Sequence, residues 1–332
     1  MRCLTKKYIV HFMFAFVLLF AGIFSACEQS LENSADVGSS TNQNEISYAL
    51  STDGACYKVV EVNKELTSVD IPTSHANLPV KEISDSAFSG CEKLKQVTIP
   101  DSITTIGPSV FKGCKSLTTI EIPNSVVSIG HSVFRGCSAL EEISLSNSIT
   151  SVGDYMFYQC QSLSSIVLPE GIYWIGKFAF GGCESLDFID LPKTLQQITT
   201  NAFEGCVNLK TIVTGCTSSF MSDAFKTLNI TEVTIKDGVE EIGKNAFFDF
   251  KKLKTVNIPD SVMIIGDTAF MGCHVLEIVV ISENVLYIGD SAFRATPRLT
   301  IFCKVAKDSE QAAGWHPHWD WYANPPIWAG EW

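Results

Sequence analysis

Positive charge is scarce in this sequence. Its 332 residues carry 24 Lys and Arg against 36 Asp and Glu, a formal net charge of −12. No basic cluster offsets the excess, so the surface repels phosphate backbones and anionic headgroups, and nucleic acid is excluded as a partner. The signatures of common catalytic sites are missing too. There is no Gly-x-x-x-x-Gly-Lys cradle, no His-Glu-x-x-His, no Gly-x-Ser-x-Gly elbow and no Gly-x-Gly-x-x-Gly between a strand and a helix. Glu141-Glu142 and Glu240-Glu241 are adjacent acids on extended segments, which makes them solvated rims and not an acid/base couple. His75, His131 and His274 are scattered. We therefore expect no catalysis, no cofactor and no resident metal. Long disorder away from the ends is excluded as well, because 46% of residues are hydrophobic and only 18% charged.

Basic residues do open the chain. Arg2, Lys6 and Lys7 precede an uncharged apolar run from Tyr8 to Phe24, which is long enough to engage an export machine and short for a stable membrane span. The run leads into Ser25-Ala26-Cys27, which resembles the lipobox of bacterial lipoproteins, although Phe24 stands where an aliphatic residue is usual. The resemblance implies a signal peptide over 1–26 and acylation of Cys27; the alternative is an uncleaved anchor helix. Cleavage there would make the exported body more acidic by three charges. A Ser/Asn/Gln-rich stretch to residue 44 has the composition of a flexible tether, so membrane contact is expected through lipid alone.

The body repeats. Phe88, Phe111, Phe134, Phe157, Phe180 and Phe203 are 23 residues apart, as are Cys91, Cys114, Cys137, Cys160, Cys183 and Cys206. The register continues through Phe225, Phe247, Phe270 and Phe293 at spacings of 22, 22, 23 and 23, giving ten units. In one unit Leu117, Ile120 and Ile122 point inward from an extended segment, while Thr118, Thr119 and Glu121 face solvent. Pro123 fits the end of that strand, Val126 and Ile129 point inward from a second one, and Gly130 permits a sharp turn. A helical or 3₁₀ turn then carries Phe134 into the core. No unit buries its residues alone, but stacked units do, at about 4.8 Å per coil and about 48 Å for ten.

The recurring Ala-Phe-x-x-Cys-x-x-Leu-x-x-Ile-x-Ile-Pro and Ile-Gly frame, from Ser86 to about Thr300, resembles the BspA-like class of bacterial leucine-rich repeats. The resemblance implies a right-handed leucine-rich repeat solenoid of stacked parallel strands and short turns over 86–300. An N-terminal cap with a degenerate first coil over 45–85 and an aromatic C-terminal cap over 301–332 would close its ends. It also implies an exported cell-surface protein, in some relatives an adhesin for host or microbial proteins and glycoproteins. Carbohydrate capture and a purely architectural envelope role are the alternatives.

The recurring cysteines are expected to be buried free thiols. Phe250 replaces one of them, and neighbouring rungs hold sulfurs parallel instead of facing. Cys56, Cys216 and Cys303 lie outside the column and are the candidates for bonding or reactivity. Outward strand positions are mostly small or charged, and the exceptions are the candidate ligand-binding residues: Tyr173 and Trp174 on the second segment, and Phe188 between Asp187 and Asp190 on the first. The segment from Val213 to Phe225 is one residue short and is expected to bulge or bend. Trp315-His316-Pro317-His318-Trp319-Asp320 reads as a cover for the last coil, against a reading as metal ligands (His316, His318, Asp320) or as a sugar-stacking platform.

Overall fold

The computed structural model describes residues 45–320 and 324–331. The signal peptide, acylated Cys27 and tether expected from the sequence lie outside these residues. Within them the chain is a β-solenoid of about 11 turns with stacked parallel strands and little helix. The first strand of each coil is short because only one pleat of alternation is needed. In Thr119–Glu121 the central Ile120 is buried and its neighbours are exposed, and Glu142–Ser144 pairs with it in register. This sheet runs continuously from Phe188–Leu191 through Thr211–Thr214, Glu232–Ile235, Thr255–Asn257 and Ile278–Ile281 to Thr300–Cys303. A second sheet of two-residue strands, such as Thr105–Ile106 and Ser128–Ile129, lies round the corner of each coil.

The third side is a chain of turns, with Cys137 N donating to Phe134 O and Leu140 N to Cys137 O in i to i+3 bonds. These turns are tied coil to coil. Ser109 N donates to His131 O, Phe111 N to Val133 O and Gly113 N to Arg135 O, at 2.8 to 2.9 Å. Inside them the phenylalanines stack, with ring centroids 5.6 Å apart for Phe111 and Phe134 and again for Phe134 and Phe157, nearly parallel in both cases. Removing one such ring costs about 3–5 kcal/mol in a typical core.

Gly130 has a different role from the sharp turn expected of it. A Cβ there would lie 2.4 Å from Pro108 N, so Gly130 is required because two backbones meet. The left-handed turn falls instead on Ser132, with φ 58°, and on Gly136, with φ 74°.

The recurring cysteines do more than fill space. From Cys114 onward the column thiols donate to the carbonyl of the phenylalanine one coil earlier: Cys137 Sγ to Phe111 O at 3.0 Å, Cys160 Sγ to Phe134 O at 3.1 Å, Cys206 Sγ to Phe180 O at 3.0 Å. Phe250, buried in the same column, packs edge-on against Phe247. Cys56, Cys216 and Cys303 are free, the last two buried.

The short segment does not bulge. Thr211–Thr214 pairs without a register shift to both neighbouring strands. The coil from Thr211 to Glu232 is 21 residues, two fewer than its neighbours, and the loss falls on a helix, Phe220–Phe225, which replaces the second strand and still delivers Phe225 to within 4.7 Å of Phe203. The second sheet consequently stops at Gln197–Ile198 and resumes at Glu241–Ile242. The ends are covered. Ile46–Leu50 pairs antiparallel with Tyr57–Val62 against the first coils. At the other end Trp315 and Trp319 are buried, Trp319 edge-on to Phe293 and Trp315 Nε1 donating to Val285 O.

Burial pushes the Cys206 thiol up to about 12, and Cys303 likewise. A thiol whose pKa rises on folding holds its proton longer in the native state than in the unfolded chain. Its contribution is complete below the ordinary thiol pKa of about 8.5 and is lost as pH climbs toward 12, at about 1.4 kcal/mol per unit per thiol. Urea midpoints should therefore fall above about pH 9, and Cys206→Ala should fall less steeply than the parent. Equal slopes for the two proteins would contradict this.

Candidate interaction surface

Outward side chains are where a solenoid departs from its repeat without loss of fold. Tyr173 is 48% exposed, and Trp174 pairs in register between Ser151 and Gln197. The indole of Trp174 folds along its own chain and covers Gly176, where a Cβ would lie 2.9 Å from Cη2. On the first sheet Asp187 is exposed and Phe188 is half-buried, while Val167, in register with Asp190, is 77% exposed. The two groups lie on different sheets, so they do not converge on one site.

Asp190 is already engaged. Its Oδ1 is 2.6 Å from Lys236 Nζ, which also lies 3.5 Å from Glu170. Register explains the reach. Pro192, Gly215 and Lys236 hold one position in successive coils, and Gly215 leaves the middle rung bare. Lys193 crosses the same gap in the other direction, its Nζ donating to Asp237 O at 2.6 Å, and a Cβ on Gly215 would strike its Cγ. Asp190 therefore belongs to a pair of lysine straps that brace the irregular coil.

A third group lies on the turn side, a place that strand patterns do not reach. Tyr155 stacks on Phe178 at 5.4 Å, and Tyr158 stands edge-on to both. Arg135 lies 5.4 and 5.3 Å from the Tyr155 and Tyr158 ring centroids, and Lys177 lies 5.8 Å from that of Phe178. Gly181 makes room, since a Cβ there would lie 2.9 Å from Tyr158 Cδ2. Reading the repeat by columns finds this group. The position two before the core phenylalanine runs Ser109, Ser132, Tyr155, Phe178, Asn201. Lys177 and Phe178 follow Trp174 within four residues, so aromatic and cationic groups continue from the second sheet round onto the turns.

Compared with known families, residues 62–172, 150–222 and 218–305 match the BspA type leucine rich repeat region, in six copies. The chain belongs to the BspA-type leucine-rich repeat family. Solved structures similar to it include a leucine-rich repeat protein of Treponema pallidum, with 25% identity over 71% of this chain and 90% of that one, TM-score 0.39. A leucine-rich cell surface protein of Faecalibacterium prausnitzii shares 24% identity over 90% and 96%, TM-score 0.43. One from Bacteroides ovatus shares 22% over 90% and 99%, TM-score 0.44. Among curated proteins none matches.

The BspA-type frame accounts for the inward residues and leaves the outward ones open. A second departure from it lies in the later coils. Ile264 and Tyr287 are in register and 37% and 41% exposed, next to Leu286 at 55%. Round the corner Ile278 and Val280 are exposed on the first sheet. Between the two faces runs an open groove of about 500 Å³, with Met263 and Leu286 in its lining and Glu240, Asp260 and Glu283 among its acids. Lys304 pairs with Asp260 at 3.0 Å. Burial of Trp315 and Trp319 removes those two rings from any sugar-stacking platform.

Proposed function

We propose that this BspA-type solenoid is displayed on a bacterial cell surface as a lipoprotein and binds a protein or glycoprotein, in the manner of an adhesin. The observation that carries the reading is where the sequence leaves its repeat. In the fourth and fifth coils the inward residues keep the frame, while Tyr155, Tyr158, Tyr173, Trp174 and Phe178 replace the small or polar residues found at most equivalent outward positions of other coils. Large rings with few rotatable bonds bury much area on binding at low entropic cost, which is why they concentrate at hot spots. Arg135 and Lys177 give this patch a cationic character on an otherwise acidic body, suiting acidic side chains or acidic glycans on a partner.

The test is binding of the protein to an array of host matrix proteins, plasma glycoproteins and polysaccharides, repeated with Tyr173→Ser/Trp174→Ser. A protein or glycoprotein hit weakened by more than about tenfold in the variant, at an unchanged melting temperature, is the expected result. Binding that survives the double substitution would overturn the assignment of the surface. A hit on polysaccharides alone would favour carbohydrate capture, and silence would favour an architectural role.

The anchor is tested separately. Cells fed a fatty-acid analogue should label the wild-type chain and not Cys27→Ala, and an unlabelled wild type would overturn the lipoprotein reading.

A further inference from the structure

Asp290 closes the last regular coil, and His316 and His318 belong to the cap above it. The backbone ladder places them. Gly266 N donates to Ile242 O, Gly289 N to Ile265 O and His316 N to Ile288 O, at 2.7 to 2.8 Å, so His316 holds the next rung of the glycine column. Pro317 then stands where Asp290 and Asp267 stand below it. In the body of the solenoid an aspartate at this position accepts the backbone amide of the next coil. Asp154 Oδ1 takes the Lys177 amide at 2.7 Å, and Asp267 Oδ1 takes that of Asp290 at 3.1 Å. Pro317 has no N–H. The Asp290 carboxylate is thereby released from its structural duty and faces the two histidines.

Donor atoms of Asp290, His316 and His318 lie within 4.8 Å of one another. His316 Nδ1 is 3.5 Å from Asp290 Oδ1, and the two rings are 5.6 Å apart between centroids. The His318 amide donates to His316 Nδ1 at 3.2 Å, a bond that a metal ion on that nitrogen would displace, and Asp290 Oδ1 accepts the Ser291 hydroxyl at 3.1 Å. A carboxylate and two imidazoles thus come together at one point of the surface. That arrangement is satisfied by a cation between them.

We propose that Asp290, His316 and His318 form a binding site for a divalent transition-metal ion of the zinc class. Two imidazoles and one carboxylate suit zinc, cobalt, nickel or copper and do not suit calcium or magnesium, which take oxygen ligands. Metal–ligand bonds of about 2.0–2.1 Å set tetrahedral donors about 3.4 Å apart, so the site closes by rotation of side chains at the surface. Solvent completes the coordination. The set differs from His316, His318 and Asp320, the grouping that proximity in sequence suggests. Asp320 is half-buried, and desolvation raises the pKa of its carboxyl. Because one ligand comes from the last coil and two from the cap, the ion fastens the cap to the solenoid. It binds the native state and not the unfolded chain, so it raises the melting temperature.

The experiment is a Co²⁺ titration of the untagged full-length chain, followed by visible absorption, with thermal melts in Zn²⁺ alongside. One equivalent of Co²⁺ should give d–d bands without a thiolate charge-transfer band. Asp290→Asn and His318→Ala should each weaken binding by at least about tenfold and abolish the Zn²⁺-dependent rise in melting temperature. Their metal-free melts should match the parent, which separates loss of a ligand from loss of the cap. His274→Ala, an exposed histidine elsewhere, should bind as the parent does. No band at millimolar Co²⁺, or a band that persists in both site variants, would overturn the proposal.

Discussion

The amide of Phe134 donates to Met156 O, one coil further on, while its ring lies parallel to that of Phe157 and its carbonyl accepts the thiol of Cys160. Three contacts of one residue are thus made to the next coil, and the pattern recurs at Phe111, Phe157, Phe180 and Phe247. Each coil is too small to bury its own leucines and isoleucines, so its stability is largely a nearest-neighbour quantity. The close approach that this demands explains Gly130 and Gly289, whose absent side chains would meet backbone at 2.4 Å. It also explains why the thiols sit so far from ionisation: they are held between coils, away from water.

The register also determines where variation is tolerated. Two residues are lost between Thr211 and Glu232, and the solenoid keeps its first sheet and its buried phenylalanines by spending the second strand on a helix. Lys193 and Lys236 reach past the bare rung at Gly215 from opposite sides and bind groups two coils away. Elsewhere the freedom is used outward. Aromatics gather around the fourth and fifth coils, and aliphatic side chains around the eighth and ninth, without any change in the buried set. A scaffold whose inward residues are fixed by its neighbours can vary its surface one position at a time, which is the physical basis for using such a fold in recognition.

Much of this was legible in the sequence because the period is strict. The spacing of Phe88, Phe111 and Phe134 predicts the stacked core, and replacement of a column cysteine by Phe250 predicts burial in place of disulfides. Tyr173 and Trp174 stand out against the polar residues of their column. The turn-side group did not, since Tyr155 and Tyr158 flank a core Met-Phe pair on a turn, where no strand alternation marks the outward positions. Partnership between residues distant in sequence was legible only in part. Asp190 looks free until Lys236 is placed two coils away, and the histidines of the cap look like partners of Asp320 until the ladder sets them over Asp290. The register of the cap against the last coil carries that information, and no periodicity extends across it.

Native-state hydrogen exchange tests the dependence of each coil on the next most directly. The amides of Phe111, Phe134 and Phe157, which donate across coils on the turn side, should exchange only through the largest openings of the molecule, and protection should drop around residues 215–225, where the second sheet is interrupted. Turn-side amides that exchange as fast as those of exposed loops, with no dip at the helix, would contradict a fold held together by coil-to-coil register.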